Sequence, residues 1–149
     1  SGTAGAKVWA AGALANLAAN SDNQVAIAKA GAIPPLVALL TTGTAEQKEK
    51  AARTLWNLAV NSDNQVAIAK AGAIPPLVAL LSSATAVVKD KAAGALWSLA
   101  SNSDNQVAIA KAGAIPPLVA LLSSATAVVK DKAAGALWSL ASNSDNKVA

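Results

Sequence analysis

Twenty residues, SDNQVAIAKAGAIPPLVALL, occur three times in the chain, at Ser21–Leu40, Ser62–Leu81 and Ser103–Leu122, always 41 positions apart. A period of this length restricts the fold severely. A single unit of that size cannot bury its apolar side chains alone, whereas copies in a row become stable by stacking around one continuous core. The blocks Ser62–Asn102 and Ser103–Asn143 are identical throughout. Independent drift would not leave neighbouring units without one difference, so the identity points to a very recent duplication or to design, and we read it as design.

Each unit divides into three helices at its own punctuation. Ser62-Asp63-Asn64-Gln65 has the form of a capping box and predicts a short helix to about Ala71, stopped by Gly72. Ile74-Pro75-Pro76 then opens a second helix to about Ser82, because proline in a first turn lacks only an N–H that has no intrahelical partner. Thr44-Ala45-Glu46-Gln47 is another capping box and opens the third and longest helix, ending near Asn61. In later copies Thr85 keeps the cap while Val87 and Val88, like Val128 and Val129, replace Glu46 and Gln47 and read as packing choices. A coiled coil would need heptads without Pro-Pro breaks, and a two-helix repeat would leave SDNQVAIAKA without a role.

The third helix carries the pattern that bears on function. KAARTLWNLAVN at Lys50–Asn61 returns as KAAGALWSLASN at Lys91–Asn102 and Lys132–Asn143, and more loosely as WAAGALANLAAN at Trp9–Asn20. On a helix, Ala51, Ala52, Leu55, Leu58 and Ala59 share one stripe, the spacing of a core-facing surface. Lys50, Arg53, Asn57, Val60 and Asn61 share the opposite one. The first stripe is committed to packing, so the second, repeated along the chain, is where function is to be sought.

Composition narrows the kinds of function. Apolar residues make up 54% of the 149, carried largely by Ala, Leu, Val and Ile with four Trp, and there is no Phe, Tyr, Met, Cys or His. Without thiolate or imidazole there is no nucleophile–base pair and no soft metal ligand, so the expectation is no enzyme, no catalytic residue, no metal site and no cofactor. The lack of cysteine leaves the redox compartment open. The Ala-rich run before Asn20 is broken by Gly12 and Asn16 and is too short for a membrane span. The chain therefore reads as soluble, of cytoplasmic type if natural, with no membrane partner. Twelve Lys and Arg against eight Asp and Glu give a net charge of +4, but without a basic run. That balance favours acidic partners and does not amount to a nucleic-acid signature.

A unit of about forty residues with a short first helix, GAIPPLVALL as its second and a third ending in LWNLA resembles the armadillo repeat, over essentially the whole chain. The resemblance implies an all-α, right-handed α-solenoid, the armadillo superhelix, of stacked three-helix repeats in a single domain. Residues 1–20 would be the third helix of a partial repeat, 21–61, 62–102 and 103–143 full repeats, and 144–149 the start of another. In armadillo proteins such as importin-alpha and beta-catenin, successive third helices line a concave groove that holds an extended peptide, and an Asn on each helix pairs with the peptide backbone. A carboxamide supplies both the donor and the acceptor that an extended chain requires. Carried over position by position, that Asn is Asn16 and Asn57; Ser98 and Ser139 replace it later, and their shorter hydroxyl makes a weaker clamp. The implied function is a non-enzymatic scaffold for protein or peptide binding. The alternative is a designed repeat scaffold without an evolved ligand, self-assembling into a homo-oligomer through its open ends.

Two departures from the family pattern matter. The importin-type pattern has Trp one turn before the Asn, where this chain has Gly12, Arg53, Gly94 and Gly135. Trp56, Trp97 and Trp138 instead directly precede the Asn or Ser, about 100° round the helix, at the border between the two stripes. There they either form shelves in the groove or pack against the neighbouring third helix. Lys50, Lys91 and Lys132, with Arg53, run along the groove side and suit an acidic peptide, or else are solvated charges. Val8 and Trp9 stand where later copies have an acid and a Lys, which turns that end of the stack apolar and predicts self-association there.

Overall fold

The computed structural model describes residues 3–83, 85–123 and 126–147. The terminal residues 1–2 and 148–149 of the first and last expected segments lie outside them. The helices are α1 (Ala4–Leu17), α2 (Ser21–Lys29), α3 (Ile33–Thr42), α4 (Ala45–Leu58), α5 (Ser62–Lys70), α6 (Ile74–Leu80), α7 (Ala86–Leu99), α8 (Ser103–Lys111), α9 (Ile115–Leu121), α10 (Ala127–Ala141) and α11 (Ser144–Lys147). Thus α2–α4, α5–α7 and α8–α10 are three-helix units, α1 is a third helix by itself, and α11 is the first turn of a first helix. Among the described residues there is no strand.

The boundaries follow from local chemistry, with one shift from expectation. The cap of each first helix is not Ser62 and its equivalents but the residue before. Asn61 Oδ1 accepts from Asp63 N at 3.0 Å and Asn64 N at 3.1 Å, and Asn20 Oδ1 accepts from Asp22 N at 2.9 Å. The expected partner of Ser62, Gln65, is engaged elsewhere. Its Nε2 donates to the Ala59 carbonyl at 2.9 Å, as Gln24 does to Ala18 and Gln106 to Ala100, and so satisfies a carbonyl left over at the end of the preceding third helix. Gly72 stops α5 with φ +83°, and Gly72 N to Ala69 O with Ala73 N to Ile68 O completes a Schellman closure. The Thr44 box is formed as expected: Gln47 N donates to Thr44 Oγ1 at 3.3 Å and Thr44 N to Gln47 Oε1 at 3.0 Å.

Packing joins the units into one body. Ala51, Ala52, Leu55, Leu58 and Ala59 of the third-helix stripe are fully buried, together with Leu36, Leu77 and Leu118 of the second helices and Ile68 and Ile109 of the first. Between repeats, Asn64 Nδ2 donates both to Leu58 O, at the end of α4, and to Gln24 O of the preceding first helix, each at 3.1 Å. Asn105 does the same to Leu99 O and Gln65 O. Buried carboxamides thus bridge successive first helices, each adding a side-chain donor to two main-chain carbonyls.

The third helices α1, α4, α7 and α10 stack side by side, and their junctions are of two kinds. Between α1 and α4 the contact includes polar rungs: Gln47 Nε2 to Ala4 O at 2.9 Å, Thr54 Oγ1 to Ala11 O at 3.2 Å and Asn57 Nδ2 to Ala15 O at 2.9 Å. In later copies the Gln47 position is Val88 or Val129, both buried as packing residues, whereas their neighbours Val87 and Val128 are exposed. From α4 onward an indole ring lies on glycine. A Cβ added at Gly94 would stand 2.8 Å from Trp56 Cδ2, and one at Gly135 would stand 2.6 Å from Trp97 Cε2.

Denaturation of paired variants checks both features. Asn61→Ala should cost about 1 kcal/mol through loss of the cap, while Ser62→Ala should stay within about 0.5 kcal/mol; the reverse order would restore the serine cap. Gly12, whose added Cβ would meet only Lys50 Cδ at 3.9 Å, should gain about 0.5–1 kcal/mol as Gly12→Ala from helix propensity. Gly94→Ala should instead lose about 1–2 kcal/mol net, because the ring must lift from its seat. Equal changes at the two glycines would contradict the ring-on-glycine junction.

Candidate functional site

The stripe opposite the core is open along the stacked third helices. Asn16 is exposed, Lys50, Arg53 and Asn57 are half-buried, Lys91, Ser98 and Lys132 are half-buried, and Ser139 is buried. On the α1–α4 half a cavity of about 410 Å³ is lined by Val8, Trp9, Gly12, Ala13, Asn16, Glu46, Lys50 and Arg53. This cavity gathers the first Asn, two of the cations and the apolar pair Val8 and Trp9. Asn57 is held beside it by its bond to Ala15 O. That bond uses one Nδ2 hydrogen and leaves the carboxamide oxygen to accept.

The α4–α10 half is built differently. Trp56 lies on Gly94 with Lys91 Nζ 5.6 Å and Lys132 Nζ 5.2 Å from its ring centroid. The ring is both a packing element and part of the open surface, so the two alternatives for Trp56 and Trp97, both half-buried, are not exclusive. Trp138 differs from them in its packing: among the described residues no third helix lies on it, and it is 75% exposed. Lysines above an indole face are attracted by its negative quadrupole, which fixes where these cations stand.

Sequence reasoning did not single out Asp90. It is buried, its Oδ2 lies 3.1 Å from Lys91 Nζ, and its Oδ1 is the buried side-chain oxygen without a partner among the described residues. Lys50 has a looser acidic neighbour, Glu49, at 3.6 Å. The only signal available was an acid beside each groove lysine. Val8 occupies that acid's position in α1 and is half-buried, while Trp9 in the lysine position is 81% exposed.

A second cavity, of about 380 Å³ and mainly apolar, lies on the other side of α1, against Leu14, Leu36 and Leu39. It corresponds by one repeat to the place where α3 packs against α4 and α6. Among the described residues no three acidic side chains gather where they could hold a metal ion, and no single helix is long and apolar enough to cross a membrane.

The armadillo/beta-catenin-like repeat family matches residues 20–60, 61–101 and 102–142. A comparison with curated proteins finds no match. Among solved structures, an engineered protein from the Northeast Structural Genomics Consortium is 37% identical, with a TM-score of 0.92 over 96% of this chain and 59% of the other. A designed armadillo repeat protein in complex with the peptide (KR)4 is 32% identical, with a TM-score of 0.85 over 90% of this chain and 58% of the other. A computationally designed armadillo repeat protein for modular peptide recognition is 34% identical, with a TM-score of 0.84 over 89% of this chain and 57% of the other. The chain spans a little under three-fifths of the length of each of these structures. Repeat period, helix order, stacked third helices and these matches agree, and the chain belongs to the armadillo repeat family.

Proposed function

We propose that the chain is a non-catalytic scaffold that holds an extended peptide along the open face of α1, α4, α7 and α10. The observation that carries this reading is the cavity that brings Asn16, Lys50 and Arg53 together on that face, with Asn57 alongside. In this reading Asn16 and Asn57 clamp the peptide backbone, Ser98 and Ser139 do so more weakly, and Trp56, Trp97 and Trp138 provide apolar surface for its side chains. Structurally similar designed armadillo proteins that carry a peptide or were made for peptide recognition support it.

For side-chain preference we propose acidic over basic. One such designed protein is bound to a basic peptide. Here the open stripe carries Lys50, Arg53, Lys91 and Lys132, and the nearby acids Glu49 and Asp90 already face lysines. An incoming carboxylate therefore meets Lys50 and Arg53 in the cavity, where the acid that lines it is Glu46, an exposed side chain. A second reading, a designed scaffold that self-associates through its ends, is favoured by the exposure of Trp9 and Trp138.

Titration of labelled extended peptides by fluorescence anisotropy tests the groove. Acidic peptides should bind more tightly than basic ones, with an affinity that falls as salt is added. Asn57→Ala should weaken every bound peptide by about three- to tenfold, the effect of one lost hydrogen bond. Arg53→Gln should weaken acidic peptides alone and flatten their salt dependence. Indifference to all peptides, or tighter binding of basic ones, would overturn the corresponding part of the proposal.

A further inference from the structure

We propose that two copies of the chain associate head to tail, Trp138 of one lying on Gly12 of the next. This deepens the self-association reading above by naming the two surfaces. The internal junctions supply the pattern. In each, the tryptophan of one third helix lies on the glycine of the following one, Trp56 on Gly94 and Trp97 on Gly135. At the first of these, the lysine three positions before the glycine, Lys91, reaches back over the Trp56 ring at 5.6 Å.

Shifting that pattern by one repeat places complementary features at the two ends. Trp138 is a ring with no glycine beneath it, 75% exposed. Gly12 is a glycine with no ring upon it: an added Cβ would meet only Lys50 Cδ, at 3.9 Å. The residue three positions before Gly12 is Trp9, 81% exposed. In a seam built on the internal register, Trp9 takes the place of Lys91 over the ring, and the cation–π contact becomes an aromatic pair. The two most exposed large apolar side chains among the described residues thus meet in one contact.

Each copy offers one ring and one seat, so the contact is heterologous and extends instead of closing on itself. The seam sets α10 beside α1 with only the short α11 in place of a first helix and no second helix between them. It therefore covers less surface than an internal junction, and its population depends on concentration.

Sedimentation velocity on the 149-residue chain, from micromolar to near-millimolar concentration, should show a mass rising above the 14.6 kDa of one chain. Trp138→Ala and Gly12→Leu should each weaken association at least about tenfold, as removal of a central aromatic anchor does. Neither substitution removes a buried side chain, and circular dichroism should show unchanged helix content. Trp9→Ala is a third variant that weakens the same seam. Mixed in equal amounts, Trp138→Ala with its open seat and Gly12→Leu with its free ring should form dimers and stop at twice the chain mass. A monomeric parent chain would overturn both the seam and the self-association reading. Association that persists in all three variants, or a mixture that stays monomeric, would overturn the seam and leave self-association to another surface.

Discussion

Adjacent third helices from α4 onward are kept in register by an indole ring lying on a helical glycine. The ring needs a flat seat, and Gly94 and Gly135 provide one because any Cβ there would fall within 3 Å of the Trp56 or Trp97 ring. Glycine in mid-helix costs about 1 kcal/mol relative to alanine. Burying part of an indole offsets that, since covering a large apolar side chain contributes roughly 2 kcal/mol. Lysines then close over the free face of Trp56. The same side chain is therefore the outermost layer of the core and part of the open face, and any movement of the junction changes both.

The open face inherits two characters from its junctions. Where α1 meets α4, side-chain amides and a hydroxyl bond to main-chain carbonyls, with Ala15 standing at the Trp56 position and Arg53 at the Gly94 position. The contact is polar, and a cavity with two cations remains beside it. From α4 to α10 the contact is aromatic and aliphatic, and the surface is a half-buried ring under lysines. On the proposed reading, a peptide lying across both halves would meet Asn16 and Asn57 first and an apolar, cationic floor second.

Much of this was legible in the sequence because a repeat makes each local signal appear several times. The 41-residue period, the Gly and Pro-Pro boundaries and the Ala51–Leu55–Leu58 stripe correspond to the observed helices and core. The first-helix cap was misplaced by one residue because Asn61, Ser62 and Asp63 are all good caps. A tertiary choice decides among them: Gln65 is drawn to the Ala59 carbonyl and cannot close a box on Ser62. The double role of the tryptophans was hidden for a similar reason, since their seat is a glycine on another helix. Identical sequence also finds unlike surroundings here. Asp90 is buried and Asp131 exposed, and Trp97 is half-buried and Trp138 exposed, although each pair lies in a copied block. α7 lies between α4 and α10, while among the described third helices α10 has its main packing on α7. No reading of local pattern separates those cases.

The most direct measurement of the central contact is the proton NMR spectrum of the glycines. A ring lying on the backbone shields the protons beneath it. The Hα resonances of Gly94 and Gly135 should therefore move strongly upfield of Gly12, with nuclear Overhauser contacts to the ring protons of Trp56 and Trp97 respectively. Unshifted Hα resonances at Gly94 and Gly135, without contacts to either indole, would show that the third helices are not joined in this way.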